Sequence, residues 1–69
     1  MEREEVVSSF MESIGYDKEN LILEIKFKSG IVTQYIGVPE GIYANLMKAA
    51  SYGSYFERNI ENIYIGKDL

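Results

Sequence analysis

The segment 51–55 contains residue types that can hold an anion: two serines, one glycine and two tyrosines in five positions. The following residues predict a helix, and a helix start carries unpaired amide groups and a partial positive charge. These amides could bind a phosphate or a carboxylate, and the two tyrosine rings could stack on a base. The sequence therefore predicts a possible ligand or anion site made of Ser51, Tyr52, Gly53, Ser54 and Tyr55.

A structural role for the same segment is the interpretation we favour. Ser54 and Glu57 are three residues apart and have the form of a capping box, which satisfies the amides at a helix start. The Glu57 carboxylate would also repel an arriving anion. On this interpretation the segment is a capped turn between two helices.

Asp17 follows Gly15 and Tyr16 and could act as a base, but a single Asp at a predicted turn most often accepts hydrogen bonds from the amides of that turn. Calcium binding by Asp17, Glu19 and Asn20 would need more oxygen ligands in a fixed order. The chain has no His and no Cys, so it lacks the commonest general base, the ordinary catalytic triad and zinc ligands. We predict no enzymatic activity, no catalytic residues, no metal and no cofactor.

Composition predicts one small globular domain that spans residues 1–69. Hydrophobic residues make up 46% of the chain and charged residues 26%, which is typical of a folded domain. A chain of this length buries only about 60% of its unfolded surface, and it has no disulfide to add stability. Self-association is therefore the expected additional support.

The charge balance disfavours capture of nucleic acid. Eleven acidic residues outnumber seven basic ones, which gives a net charge of -4. The first five residues are acidic rather than a basic leader, and no apolar run approaches the roughly 20 residues of a membrane span. We expect a cytoplasmic protein without membrane contact.

Alternating apolar residues over 21–27 predict a half-buried strand. A three-residue loop at 28–30, with Gly30 in the left-handed position, places Phe27 opposite Ile31 and keeps apolar residues on one face. Residues 10–16 predict the preceding strand. Its apolar residues change phase, which indicates a bulge near residues 12–13.

Helical spacing begins after Pro39 and predicts a first helix through residue 50. A second helix is predicted from Ser54, with an apolar face of Phe56, Ile60, Ile63 and Tyr64, and residues 65–69 are predicted to fray. The predicted fold class is α+β: a three-stranded antiparallel β-meander followed by two short α-helices packed on one face, in the order β-β-β-α-α.

The order of residues resembles the KTSC domain family over roughly residues 7 to 64. The matching positions are Val7, Ser8, Ser9, Ser13, Ile14, Gly15, Tyr16, Asp17, Phe27, Gly30, Tyr35, Val38, Pro39, Tyr43, Leu46, Ala49, Ser51, Gly53, Tyr55, Phe56, Ile60 and Tyr64.

This family is named for its occurrence at the C-terminus of some lysyl-tRNA synthetases, and it also forms stand-alone proteins of bacteria and phages. The resemblance implies a possible association with nucleic acid. The chain differs from the usual family pattern at Thr33, Phe10, Glu57 and Glu61. Acidic residues on the second helix would repel phosphate, so they reduce the expectation of nucleic-acid binding.

The sheet face turned away from the helices is the favoured place for contacts. The predicted register sets Ile22 opposite Ile36 and Lys26 opposite Val32, and these four residues form the possible interface. We predict a small non-catalytic interaction module that binds a protein partner or forms a homodimer. The alternative is an accessory protein of phage or prophage type that binds RNA or a nucleotide-like anion near residues 51–56.

Overall fold

Five antiparallel strands form one sheet, in the order β1-β2-β3-β4-β5, in a computed structural model that describes residues 1–69. Two helices lie between the last two strands along the chain. The elements are β1 (Glu4–Glu5), β2 (Met11–Asp17), β3 (Ile22–Phe27), β4 (Val32–Ile36), α1 (Glu40–Lys48), α2 (Tyr52–Asn59) and β5 (Ile65–Asp68). Neither helix is long and apolar enough to cross a membrane.

The predicted central meander is confirmed in its register. Ile25 pairs with Thr33, and the Phe27 amide donates a 2.9 Å hydrogen bond to the Ile31 carbonyl, so the β3–β4 loop has three residues. Gly30 has a φ of +99°, which side chains rarely tolerate. The β2–β3 register shifts between Met11 and Ser13, where the apolar phase change predicted a bulge.

The prediction of only three strands was wrong, because a further strand lies at each edge of the sheet. β1 pairs with β2, and residues 65–68, which were expected to fray, form β5 against β4. Gly66 allows this approach, because an added Cβ would lie 2.8 Å from Cε1 of Tyr35. Edge strands of two and four residues are stabilised by their neighbours' backbone groups and are too short to show an alternating pattern. The chain order is therefore β-β-β-β-α-α-β.

The second helix begins earlier than predicted. Ser51 is its N-cap, and the Ser51 hydroxyl accepts a 3.3 Å hydrogen bond from the Ser54 amide. Ser54 therefore lies inside the helix, and the predicted capping box with Glu57 was wrong. Ile60 ends the helix, so Ile63 lies beyond it and is 61% exposed instead of contributing to an apolar face.

The core lies between the helices and one face of the sheet. The Tyr16 and Tyr43 rings stack with centroids 4.8 Å apart and connect β2 with α1, and the Tyr16 hydroxyl donates to the Val38 carbonyl. Phe56 connects α2 with the sheet through contacts to three further aromatic rings. The buried hydrophobic residues are Met11, Ile14, Leu23, Ile25, Tyr35, Val38, Leu46, Phe56 and Ile60.

The opposite sheet face, called here the outer face, contains a buried polar network. Arg3 forms an ion pair with Glu24, and Gln34 Nε2 donates a 2.8 Å hydrogen bond to the same carboxylate. Arg3 also donates to the Ser13 hydroxyl. Gly15 pairs with Glu24 in the register, and a Cβ on it would lie 3.1 Å from Cγ of Arg3. The missing side chain thus lets Arg3 cross β2 to reach β3.

This network controls the ionisation of Glu24, which is only 5% exposed. Burial alone would raise its pKa, but the hydrogen bonds from Gln34 and Arg3 and the charge of Arg3 outweigh burial. The pKa of Glu24 therefore lies below its ordinary value. The carboxylate remains charged at neutral pH and ties the residue before β1 to β3 and β4.

Replacement of Gly15 by alanine is expected to loosen β1. The added Cβ would lie 2.5 Å from the Glu2 carbonyl oxygen, so the N-terminal strand would have to move. We expect Gly15→Ala to lower the free energy of unfolding by about 1–3 kcal/mol in urea titrations. The Val6 amide, which donates to the Glu12 carbonyl, should lose protection from hydrogen exchange.

Gly41→Ala is the matched control, because nothing lies within 4 Å of a Cβ at this helical position. It should raise stability by up to about 1 kcal/mol through helix propensity. Unchanged stability and unchanged Val6 protection in Gly15→Ala would show that Arg3 does not depend on this close approach.

The Glu24 network should make stability depend on pH. Because the folded state lowers the pKa of Glu24, its stabilisation is complete above the ordinary pKa and disappears as the pH falls through the folded value. At about pH 7, Glu24→Gln should lower the free energy of unfolding by about 1–3 kcal/mol. The difference from the parent protein should shrink towards about pH 3, measured by urea unfolding at each pH.

Glu12→Gln serves as the control for this pH series. Glu12 lies 3.2 Å from Lys26 in an exposed ion pair, so its loss should cost less than about 1 kcal/mol. If Glu24→Gln and Glu12→Gln show the same small effect at every pH, the buried network does not contribute as argued.

Candidate functional site

A row of three isoleucines crosses the outer face at the end of the sheet nearest the β2–β3 turn. Ile22 on β3 pairs with Ile36 on β4, which in turn pairs with Ile65 on β5. Neighbouring strands are about 4.8 Å apart, so the isoleucine row spans about 10 Å. Ile36 is 44% exposed and Ile65 is 78% exposed, so the row forms an apolar strip open to solvent.

The four predicted interface residues all lie on the outer face, but they form two separate pairs. Lys26 pairs with Val32, and the Glu24–Gln34 pair lies between them and the isoleucines. Lys26 forms an ion pair with Glu12, and Val32 is half-buried. Ile65, which the sequence did not place on the sheet, extends the isoleucine pair instead. The apolar part of this face is therefore the row rather than the full set of four residues.

Both ends of the isoleucine row carry charge. Asp17 pairs with Ile22 at the β2 end, and Lys67 lies two residues beyond Ile65 on the same face of β5. Asp17 accepts hydrogen bonds from the Asn20 side chain and from the amides of Glu19 and Asn20. Hydrogen bonding by the Asn20 side chain is the main cause that lowers the pKa of Asp17. Its carboxylate is thus a turn cap and a constant negative charge beside the row.

The residues of the predicted anion site at 51–55 form contacts within the fold. The Ser51 hydroxyl occupies the Ser54 amide, and Gly53 lies against Phe10, because an added Cβ would be 2.6 Å from the ring. Tyr52 and Tyr55 are half-buried and pack against the core. A shallow depression of about 260 Å³ borders Ser51, Tyr52 and Gly53, and no basic side chain lines it. Anion binding at this turn remains a prediction.

A larger cleft lies on the helix side of the sheet, at the end where the β3–β4 hairpin turns. This aromatic cleft has a volume of about 480 Å³, within the range of ligand-binding clefts, and its floor is made of Phe10, Phe27, Tyr35 and Phe56. The rings of Phe10 and Phe27 are nearly parallel, and Phe56 meets Phe27 and Tyr35 edge to face.

Polar groups line the rim of the aromatic cleft. Glu61 and Asp68 border it on one side, and Lys28 and Ser29 of the hairpin lie on its rim. Thr33 donates a 2.7 Å hydrogen bond from its hydroxyl to Oδ1 of Asp68. The Tyr35 ring is only 7% exposed, and burial, together with the Glu61 and Asp68 charges, raises the pKa of its hydroxyl. The hydroxyl therefore keeps its proton at neutral pH.

Sequence reasoning placed Phe27 and Tyr35 on the correct face but did not identify this cleft. Asp68 belongs to the tail that was expected to fray, and its approach to Thr33 depends on the pairing of β5 with β4. Glu61 was noted only as a departure from a family pattern. The one available signal was Gly66, whose lack of a side chain permits the contact with Tyr35.

Known proteins are similar to this chain in sequence and in architecture. A protein of Stutzerimonas stutzeri (strain A1501), described as uncharacterised, is 40% identical over 58 residues, which are 84% of this chain and 82% of that protein. The crystal structure of a KTSC domain protein from Yersinia pestis is 40% identical and has a TM-score of 0.94. It covers 99% of this chain and 96% of its own. The sequence profile of the KTSC domain matches residues 7–64, and this chain therefore belongs to the KTSC domain family.

Proposed function

We propose that this protein is a small non-catalytic interaction module of the KTSC type that pairs with a second copy of itself through the outer face of the sheet. The observation that carries the proposal is the isoleucine row on β3, β4 and β5. Three aligned β-branched side chains form a flat apolar strip, and a second sheet can cover such a strip at the usual sheet spacing of about 10 Å.

The exposure of the row supports an interface rather than a solvated face. A side chain as open as Ile65 leaves most of its apolar surface in water, and burial of one such side chain contributes about 1.5–3 kcal/mol. The helix side of the sheet already has its core, so only the outer face can gain from a second layer.

The charges around the row favour a second copy as the partner. A copy turned by half a rotation about an axis parallel to the strands would bring its Asp17 over Ile65 of β5, about 7 Å along the strand from Lys67 and within reach of the long lysine side chain. The same rotation brings the first molecule's Asp17 beside the second copy's Lys67, so each half-interface would repeat the same opposite-charge pair. Because the pKa of Asp17 is lowered, this attraction persists at neutral pH. Such arrangements give specificity as well as affinity.

A lysine at position 36 tests the proposal. We expect the parent protein to form dimers at high concentration in sedimentation velocity experiments, and Ile36→Lys to weaken dimerisation at least about tenfold, because the rotation sets position 36 against Ile22 of the second copy and the lysine would bury a charge against apolar side chains. Ile36 is 44% exposed on the outer face, so the monomer should keep most of its stability.

Ile63→Lys is the matched control, because Ile63 is also an exposed isoleucine but lies outside the sheet. It should dimerise like the parent. A parent protein that stays monomeric at every accessible concentration would refute the proposal. Equal weakening by both lysine variants would also refute it, because the effect would then reflect net charge rather than the row.

A further inference from the structure

The aromatic cleft contains a tyrosine hydroxyl group without a partner in the protein. Tyr35 is more than nine-tenths buried, yet its hydroxyl group forms no hydrogen bond, whereas the Tyr16 hydroxyl donates to the Val38 carbonyl. No buried side-chain oxygen in the chain is both sealed from solvent and unpaired. The Tyr35 hydroxyl therefore opens into the cleft that its ring lines, where a ligand can pair with it.

Two carboxylates that line the same cleft are also available to pair with a ligand. Glu61 and Asp68 line the cleft, and neither belongs to the two ion pairs of the chain, Arg3–Glu24 and Lys26–Glu12. Thr33 occupies only Oδ1 of Asp68, which leaves the second oxygen free to accept hydrogen bonds. The acceptors on this side of the cleft thus outnumber the donors.

The floor between these groups is made of aromatic rings. The face of an aromatic ring attracts a cation, and a guanidinium group can stack on it through its own flat surface. Phe10 and Phe27 are half-buried, so part of each ring remains open to the cleft. A guanidinium group also carries five hydrogen-bond donors, which match the two carboxylates and the hydroxyl oxygen of Tyr35.

Charge supports the same assignment. The two carboxylates exceed the single ammonium group of Lys28, so the cleft has a net charge of -1 within a chain of net charge -4. This potential attracts basic partners and repels phosphate. Lys28 is exposed on the β3–β4 hairpin and forms no ion pair with either carboxylate.

We propose that the aromatic cleft binds an arginine side chain of a partner protein, with the guanidinium group against the Phe10 and Phe27 rings and hydrogen-bonded to Glu61, Asp68 and Tyr35. The site lies on the helix side of the sheet, away from the isoleucine row, and so does not depend on dimerisation through the outer face.

A titration with a minimal probe tests this proposal. N-acetyl-arginine amide is added to the isotope-labelled full chain, and backbone and aromatic NMR signals are followed. We expect saturable shifts confined to the signals of the cleft. N-acetyl-citrulline amide has the same shape without the charge and should leave these signals in place, and N-acetyl-lysine amide should bind at least about threefold more weakly because it cannot stack.

Variants of the chain test the carboxylates and the hydroxyl group separately. Glu61→Gln combined with Asp68→Asn should weaken arginine binding at least about tenfold, and the asparagine can still accept the Thr33 hydrogen bond. Tyr35→Phe keeps the ring and removes the hydroxyl, and it should weaken binding about threefold to tenfold. Glu57→Gln removes one negative charge from α2 outside the cleft and should bind like the parent.

Several results would overturn the proposal. These are the absence of saturable shifts in the parent protein, equal shifts with the citrulline probe, and unchanged arginine binding by the double variant. Cleft signals that move with protein concentration alone would also overturn it, because a second copy of the chain would then occupy the site.

Discussion

The insertion of Phe56 between the sheet and the second helix is the contact on which the rest of this small structure depends. The ring lies 5.5–6.2 Å from those of Phe10, Phe27 and Tyr35, measured between centroids. It fixes α2 across the hairpin end of the sheet, and α2 in turn determines where Glu61 and β5 follow. The same four rings form part of the core and the floor of the aromatic cleft. Burial that stabilises the fold therefore also shapes its largest concave surface.

The outer face of the sheet combines a buried polar network with an exposed apolar row. Gly15 has no side chain, so Arg3 can cross one strand and reach the Glu24 carboxylate on the next. Gln34 completes the network from β4. A charged group is costly to bury without such partners, and its network fixes how β1 lies on the sheet. Beside this polar region, the isoleucine row has no layer above it, and this contrast locates the proposed contact with a second copy.

The sequence predicted the central strands well because their patterns are regular. Alternation over 21–27 gave the face of each residue, Gly30 gave the loop length, and the phase change at 12–13 gave the bulge. Sequence reasoning failed where the local residues are compatible with more than one structure. Both Ser51 and Ser54 can cap a helix, and the local sequence does not distinguish them, whereas the folded chain uses Ser51. The cleft and the full isoleucine row were missed because β5 exists through its pairing with β4, which no pattern within residues 65–68 encodes.

Strand order also determines how the domain would respond to mechanical force. β1 and β5 are the two edges of the sheet, and each has only one neighbouring strand. A load applied through the two ends of the chain pulls directly on these short, exposed strands, so an edge strand is expected to detach before the central strands separate. Peeling β5 from β4 would remove Asp68 from Thr33 and open one wall of the cleft, with Phe56 still in the core. Tension could thus disconnect the proposed arginine site before the domain unfolds.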